Sequence, residues 1–293
     1  MANSTSPNSD GYRLGRSYLS ASRLNLQHFM WKDAQGFLLH PVIQAYLHQK
    51  RDSGQTENKD SISIADLATG TGIWLFDLVK SPEIKGLNIQ YHGFDISRAL
   101  FPHKSWLPKN IALSASNLFE EPPQSLHGQF DVVHLRLVLS LIRSDSPKPI
   151  IRHIKTLLKP GGYLQWDELD LFNHFDVLVP DPGTGGQNMT AAFQKTKDLA
   201  NWSWVAKLPE ILLGEGFQEA IQSYHEPNSE MFKAWTHLDL CSAEELSLHW
   251  SGPDDENGKN WRDLISAGAG EADESIGAVL RVRPTVTIAR KSL

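Results

Sequence analysis

Cysteine is almost missing: Cys241 is the only one in 293 residues. No internal disulfide can form, no cysteine-based metal cluster is possible, and no metal site is expected. Long apolar runs are missing too; none approaches the roughly 18 residues of a membrane-spanning helix. The first ten residues, Met1 to Asp10, are polar and lack the apolar centre of a secretory signal, so a cytoplasmic protein is expected. In that compartment the Asn-X-Ser/Thr matches at Asn3, Asn188 and Asn201 are chance occurrences. A basic excess is also lacking: 28 Lys and Arg stand against 34 Asp and Glu, for a net charge of −6. That balance argues against nucleic acid or an anionic membrane as a bulk partner. No repeat of solenoid period is present. What is there is 40% hydrophobic residues, enough for a sizeable core, in a length that allows about two domains or one with insertions.

Residues 1–11 are rich in Ser, Asn and Pro and are expected to be a disordered tail. From Ser20 to His48 the apolar residues recur with helical spacing, and Pro41 divides the stretch into two helices. Residues 50–60 are polar and read as a linker. Strands then alternate with helices. Strands are expected at Ile62 to Leu67, Ile89 to Ile96, Ile111 to Ala115, Phe130 to Leu135 and Tyr163 to Trp166. Helices follow the first, at Ile73 to Val79, and the fourth, where Ile150, Ile151, Ile154, Leu157 and Leu158 make an apolar stripe ended by Lys159-Pro160-Gly161-Gly162. That alternation predicts an α/β fold around a parallel sheet with right-handed crossovers. Further on, helices are expected at Met189 to Leu199, Val205 to Leu213 and Ser229 to Trp250. A loop is expected at Asp254 to Lys259, and strands at Gln218 to Tyr224 and Val282 to Arg290.

Chemistry concentrates at Asp66-Leu67-Ala68-Thr69-Gly70-Thr71-Gly72, on a strand-to-helix junction. Glycines there let the backbone turn sharply and approach a ligand, and the N–H groups of a helix start suit an anion. Asp95 ends the second strand, where a carboxylate can accept from both hydroxyls of a ribose. A dinucleotide fingerprint needs a third glycine, but Leu75 stands at that position, which disfavours a nicotinamide oxidoreductase. No Gly-Lys-Ser/Thr follows, so a P-loop is excluded.

Asp66 with Gly70 and Gly72 resembles instead the acid-x-Gly/Ala-x-Gly-x-Gly pattern of Rossmann-like S-adenosylmethionine methyltransferases. Tyr91-His92-Gly93-Phe94-Asp95-Ile96-Ser97 is similar to that family's ribose-binding strand end. Ser116-Asn117-Leu118 stands where the family has an acid and an apolar residue against adenine, with Asn in place of Asp. Phe130-Asp131-Val132-Val133-His134, Leu157 to Leu164 and Gly216-Phe217 match the fourth-strand, fifth-strand and sixth-strand motifs. Tyr12 to Arg16, Ser22 to Trp31, Val133 to Arg136 and Leu164 to Glu168 further resemble the fungal secondary-metabolism methyltransferases related to LaeA-type regulators.

The resemblance implies S-adenosylmethionine as cofactor, held by Asp66, Ala68, Thr69, Gly70, Gly72, Asp95, Ile96, Ser116, Asn117, Leu118 and His134. It implies O- or N-methylation of a small secondary metabolite. Two alternatives are a pericyclase of the same fold that leaves the methyl group in place, and a LaeA-like regulatory protein. His134, Asp167, Glu168 and His28 are the candidate catalytic groups: His134 as a contact or a base, the two acids at the crevice edge. Arg23, Gln27, Trp31, Arg136, Trp166, Trp235 and His237 are candidates for the acceptor. Arg136 is either a surface residue or a carboxylate anchor, and the tryptophans and His237 are either packing groups or walls for an apolar acceptor. The expected organisation is a helical cap at 12–50 and a methyltransferase domain at 60–293. Lid inserts are expected near 170–204 and 228–275, and a homodimer through the N-terminal helices is a further expectation.

Overall fold

The computed structural model describes residues 12, 14–53, 61–142, 146–250 and 255–293. The tail expected at 1–11 lies outside them, as does most of the expected linker. Two helices come first, α1 (Tyr18–Gln35) and α2 (Pro41–Asp52). Ser17 caps α1 by accepting from the Ser20 N–H, and Gly36 ends it in the left-handed region at φ 77. Because α2 runs through Asp52, the first residues of the expected linker are helical.

The sheet is built from β1 (Ile62–Leu67), β2 (Ile89–Asp95), β3 (Ile111–Ala115), β4 (Phe130–Arg136), β5 (Leu158–Leu169), β7 (Phe217–Tyr224) and β9 (Pro284–Lys291). Its order is β3-β2-β1-β4-β5-β9-β7. The first five strands are parallel, while β9 runs antiparallel to β5 and β7. The chain therefore winds outward in one direction from β1 and in the other from β4. A crevice opens at the carboxyl ends of these two neighbours.

Both faces of the sheet are covered, so strand residues alternate between two cores. Ile62 and Ile64 of β1 pack with Ile43 and Leu47 of α2 and with Trp74 and Leu78 of α3 (Ile73–Leu78). Ala65 and Leu67 face the other core, with Ile150, Ile151 and Ile154 of α4 (Lys148–Leu157). Each of those three isoleucines is fully buried, and burying such a side chain contributes about 1.5–3 kcal/mol.

Three corrections concern the later part of the chain. β5 extends well past the expected Tyr163 to Trp166, because β9 pairs with it as far as Leu169. Helix α8 (Glu256–Glu271), capped by Asp255, occupies most of the expected polar loop. A second, two-stranded sheet joins β6 (Phe175–Leu178) to β8 (Val279–Val282). With α5 (Gln187–Lys197), α6 (Leu208–Gly214) and α7 (Phe232–Trp250) these complete the molecule. No helix among the described residues is long and apolar enough to cross a membrane.

Candidate active site

A cavity of about 570 Å³ opens at the carboxyl ends of β1, β2 and β4, a size suited to a cofactor or drug-like ligand. Its first half is formed by the turn after β1, the end of β2 and the segment after β3. Its second half is apolar and is closed by α1, α7 and the chain between Leu169 and Trp202. Only α1 of the two N-terminal helices reaches it; α2 packs on the sheet face.

In the first half, Asp95 is set by the backbone. Its Oδ2 accepts from the Gly70 N–H at 2.9 Å and its Oδ1 from the Ser97 N–H at 3.0 Å. Each carboxylate oxygen keeps further acceptor capacity, as two vicinal hydroxyls require. Burial raises the Asp95 pKa, against the pull of those two N–H groups. Gly70 adopts φ +56, a conformation that penalises side chains with a β-carbon. Ile96 and Phe119 line this end while 39% and 50% exposed, and Leu118 lies beneath them. Apolar groups left open to water beside an acceptor of hydroxyls form a slot of the kind an adenosine fills. Asn117 lines the slot too, but its Oδ1 already accepts from the Phe119 N–H and its Nδ2 donates to Glu120. Ser116, Ala68 and Thr69 complete the lining. Gly72 does not reach it. At φ +79 it caps α3, and a β-carbon there would come 3.0 Å from the Phe76 ring, so its role is to shape the turn. α3 has only six residues, and the anion site expected at its start has nothing further to support it.

The floor between the halves is a buried chain of charges. His134 donates from Nδ1 to Asp66 at 2.7 Å and from Nε2 to Asp167 at 3.3 Å. Its ring stacks on Trp74 at 3.8 Å. Burial lowers the His134 pKa, but the Asp167 and Asp66 carboxylates outweigh it and hold the value above that of an ordinary histidine. With both ring nitrogens engaged by carboxylates, His134 has neither nitrogen left for an acceptor. Asp66 is likewise engaged, its second oxygen accepting from the Thr69 hydroxyl at 2.6 Å. Two carboxylates on one imidazolium leave a net negative floor.

Beside it, Arg136 lines the cavity and donates to His28 Nδ1 at 3.3 Å, while His28 Nε2 donates to Asp77 at 3.0 Å. His28 is wholly buried, does not border the cavity, and acts through Arg136. Arg23 and Gln27 of α1 do border it, and Arg23 is paired with Glu245 of α7 at 3.1 Å.

The remaining candidates lie elsewhere. Asp167 and Glu168 fall inside β5, not beyond its end, and neither lines the cavity. Glu168 accepts from the Val138 N–H and the Trp166 indole, and burial pushes its pKa up to about 8. Trp31 and Trp235 pack edge to face at 5.7 Å, Trp166 packs on Trp204, and all three candidates are buried in the core. His237 is exposed on the outer side of α7. Sequence reasoning passed over Asp239, two residues away, which is 7% exposed and lines the apolar half. The i+2 offset on a helix turns it nearly opposite to His237, and that alternation was the available signal.

Against known proteins, residues 30–262 match the family model described as a methyltransferase domain. Methyltransferase grgD of a Penicillium species is 34% identical over 171 residues, covering 57% of this chain and 55% of that protein. N-methyltransferase tcpN of Claviceps purpurea is 31% identical over 200 residues, 67% of this chain and 62% of that protein. Secondary metabolism regulator LAE1 of Hypocrea atroviridis is 29% identical over 141 residues, 47% of this chain and 38% of that protein. The matched region thus spans somewhat more than half the length of the first two relatives.

Proposed function

The chain belongs to the methyltransferase domain family, and from that premise we propose that it transfers a methyl group from S-adenosylmethionine to a nitrogen or oxygen of a small secondary metabolite. The observation that carries this reading is Asp95, presented by two backbone N–H groups at the end of β2 beside an open apolar slot. When bound, S-adenosylmethionine supplies a methyl group already made electrophilic by the positive sulfonium.

Asp95 would accept from the ribose hydroxyls, with Ile96, Leu118 and Phe119 against the adenine ring. The net negative floor of Asp66, His134 and Asp167 suits the ammonium and sulfonium charges. Arg136, held by His28, suits the carboxylate of the methionine part; this is the anchor role among its two alternatives. Alignment is the protein's main contribution: the closed apolar half excludes water and fixes the acceptor along the line of attack. Such positioning is worth up to about 7–11 kcal/mol. Because both ring nitrogens of His134 are engaged by Asp66 and Asp167, it is not assigned as a base in this scheme. An amine in its neutral form attacks through its own lone pair and sheds a proton to solvent only after the methyl is bonded, so it needs no base at the moment of attack, in keeping with the N-methyltransferase in the name of the Claviceps relative.

Replacing Asp95 by Ala removes a charged acceptor for two hydroxyls. Hydrogen bonds to charged groups contribute about 1.5–3 kcal/mol each, so S-adenosylmethionine affinity should fall about tenfold or more in D95A. Titration calorimetry on the folded variant checks this, and unchanged affinity would remove Asp95 from the site. Turnover is tested by mass spectrometry of purified protein with S-adenosylmethionine and metabolite extracts. Gain of one methylene unit with release of S-adenosylhomocysteine supports transfer. Product of unchanged mass with intact S-adenosylmethionine supports the pericyclase alternative. The LAE1 relative motivates a second reading, a regulatory role, which predicts a protein partner in pull-down and no turnover.

A further inference from the structure

The apolar half of the cavity contains one ionisable side chain that the scheme above does not use. Among the described lining residues from 169 onward, two carry hydroxyls, Thr196 and Ser242, and one carries a charge, Asp239. All the others are Leu, Phe, Trp or Ala. Asp239 is 7% exposed, and its Oδ2 has no hydrogen-bond partner among the described residues. A buried acceptor left in that condition is unfavourable until a donor reaches it.

Burial pushes the Asp239 pKa up to about 8, and Arg23 is the charge that opposes this. Arg23 is committed elsewhere: its Nε and Nη2 donate to the two oxygens of Glu245, which follows Asp239 by less than two turns on α7. Arg23 and Glu245 balance one another, and burial disfavours the charged form of Asp239; a positive guest beside it would stabilise the carboxylate that burial alone holds back, so the site rewards a cation that brings its own charge. The rest of the chamber is a hydrophobic container, with Phe193, Leu199 and Trp202 opposite the polar cofactor slot.

We propose that Asp239 anchors the acceptor by receiving the N–H groups of a basic nitrogen carried on an apolar, ring-bearing body, and so selects amines over neutral or acidic molecules of the same shape. This rests on the methyltransferase reading and names the substrate class for it. Asp239 acts here as a binding group, and no proton transfer is assigned to it.

The test uses the full chain saturated with S-adenosylhomocysteine, and three probes that share one ring system: tryptamine, indole-3-ethanol and indole-3-acetate. Affinities are measured by ligand-observed NMR. Wild type should bind tryptamine about tenfold or more tighter than the other two, given a charge-assisted hydrogen bond of about 1.5–3 kcal/mol. D239N and D239L should lose that preference while S-adenosylhomocysteine affinity stays within a few-fold. The thermal midpoint of ligand-free D239L should hold or rise, because the unpartnered carboxyl is gone; a carboxylate that served the fold would make it fall. Amine preference retained in both variants would overturn the inference. So would equal binding of tryptamine and indole-3-acetate by wild type, or no binding of tryptamine. In each of these cases S-adenosylhomocysteine still binds and the methyltransferase reading stands. Failure of wild type to bind S-adenosylhomocysteine overturns that reading, and this inference with it.

Discussion

His28 donates to Asp77 through Nε2 and accepts from Arg136 at Nδ1. Only a neutral imidazole can play both roles. Burial, and then the Arg136 charge, lower its pKa from 6.5 to about 4. A folded-state value below the unfolded one means that this stabilisation is complete above pH 6.5 and is lost as the pH falls toward 4. The shift corresponds to on the order of 3 kcal/mol. We expect the unfolding free energy of wild type to decline across that window, and the decline to be shallower in H28Q, whose amide can donate and accept without titrating. Urea denaturation at stepped pH measures it, and parallel curves for the two proteins would show that His28 is not the titrating group. Sequence reasoning placed His28, Asp167 and Glu168 as catalytic candidates by their nearness to motifs. It could not see that Arg136, His134 and Val138 would claim those side chains, since each partner lies at least 30 residues away in the chain.

At the scale of elements, α1 and α7 form opposite banks of the cavity mouth, tied by Arg23 and Glu245. Glu245 also accepts from the Gly15 N–H at 3.3 Å. E245A should leave Arg23, whose side chain is only 5% exposed, without that partner. Amide exchange in the first half of α1 should then quicken by about tenfold, while β1 and β4 stay protected. Exchange mass spectrometry that finds α1 unchanged would count against the tie. Elements with a strong local signal were legible in the sequence: β1 through its Gly-rich turn, α4 through its stripe, β4 through Val132, Val133 and Leu135 before the turn that follows it. The less legible ones lack such signals. α8 contains Gly258, Gly268 and Gly270 and begins in a polar run, so its helical period is diluted. β6 and β8 have four residues each and exist only because they pair with one another. The first half of the cavity, built from one contiguous motif and two strand ends, could be anticipated as a crevice from the sequence. The apolar half depends on how distant segments fold over it, and Asp239, the ionisable group among its described lining residues from 169 onward, sits in a helix whose function no local pattern declares.

For the whole molecule, the cavity walls run from Tyr12 to Leu246, so a ligand there touches α1, the sheet and α7 together. Binding should therefore stabilise the chain as a unit. At a concentration of about 100 times the dissociation constant, S-adenosylhomocysteine should contribute about 2.7 kcal/mol. The melting midpoint should rise by roughly 2–4 °C for each kcal/mol. NAD at the same concentration should leave the midpoint where it was, since Leu75 replaces the third glycine of a dinucleotide loop. A differential scan with both ligands decides the matter, and equal shifts would reopen the choice of cofactor.

Tyr224 faces Thr285 across β7 and β9, and the His225 N–H donates to the Pro284 carbonyl at 2.9 Å. Everything between them, including α7, α8 and β8, leaves the sheet and rejoins it at adjacent points. A short turn could bridge that gap without disturbing the strand register, as at sites that tolerate domain insertion. The stretch is thus an exchangeable cassette. On the function proposed above, recombination there would change the apolar wall of the cavity while leaving the turn after β1 and the end of β2 as they are. The stretch is stitched to the segment around β6 and α5 by the β8–β6 pairing, by the Trp261 indole donating to the Ala192 carbonyl and by Glu271 accepting from the Met189 N–H, and to α1 by Arg23 and Glu245, so these partners would be expected to travel with it through a lineage.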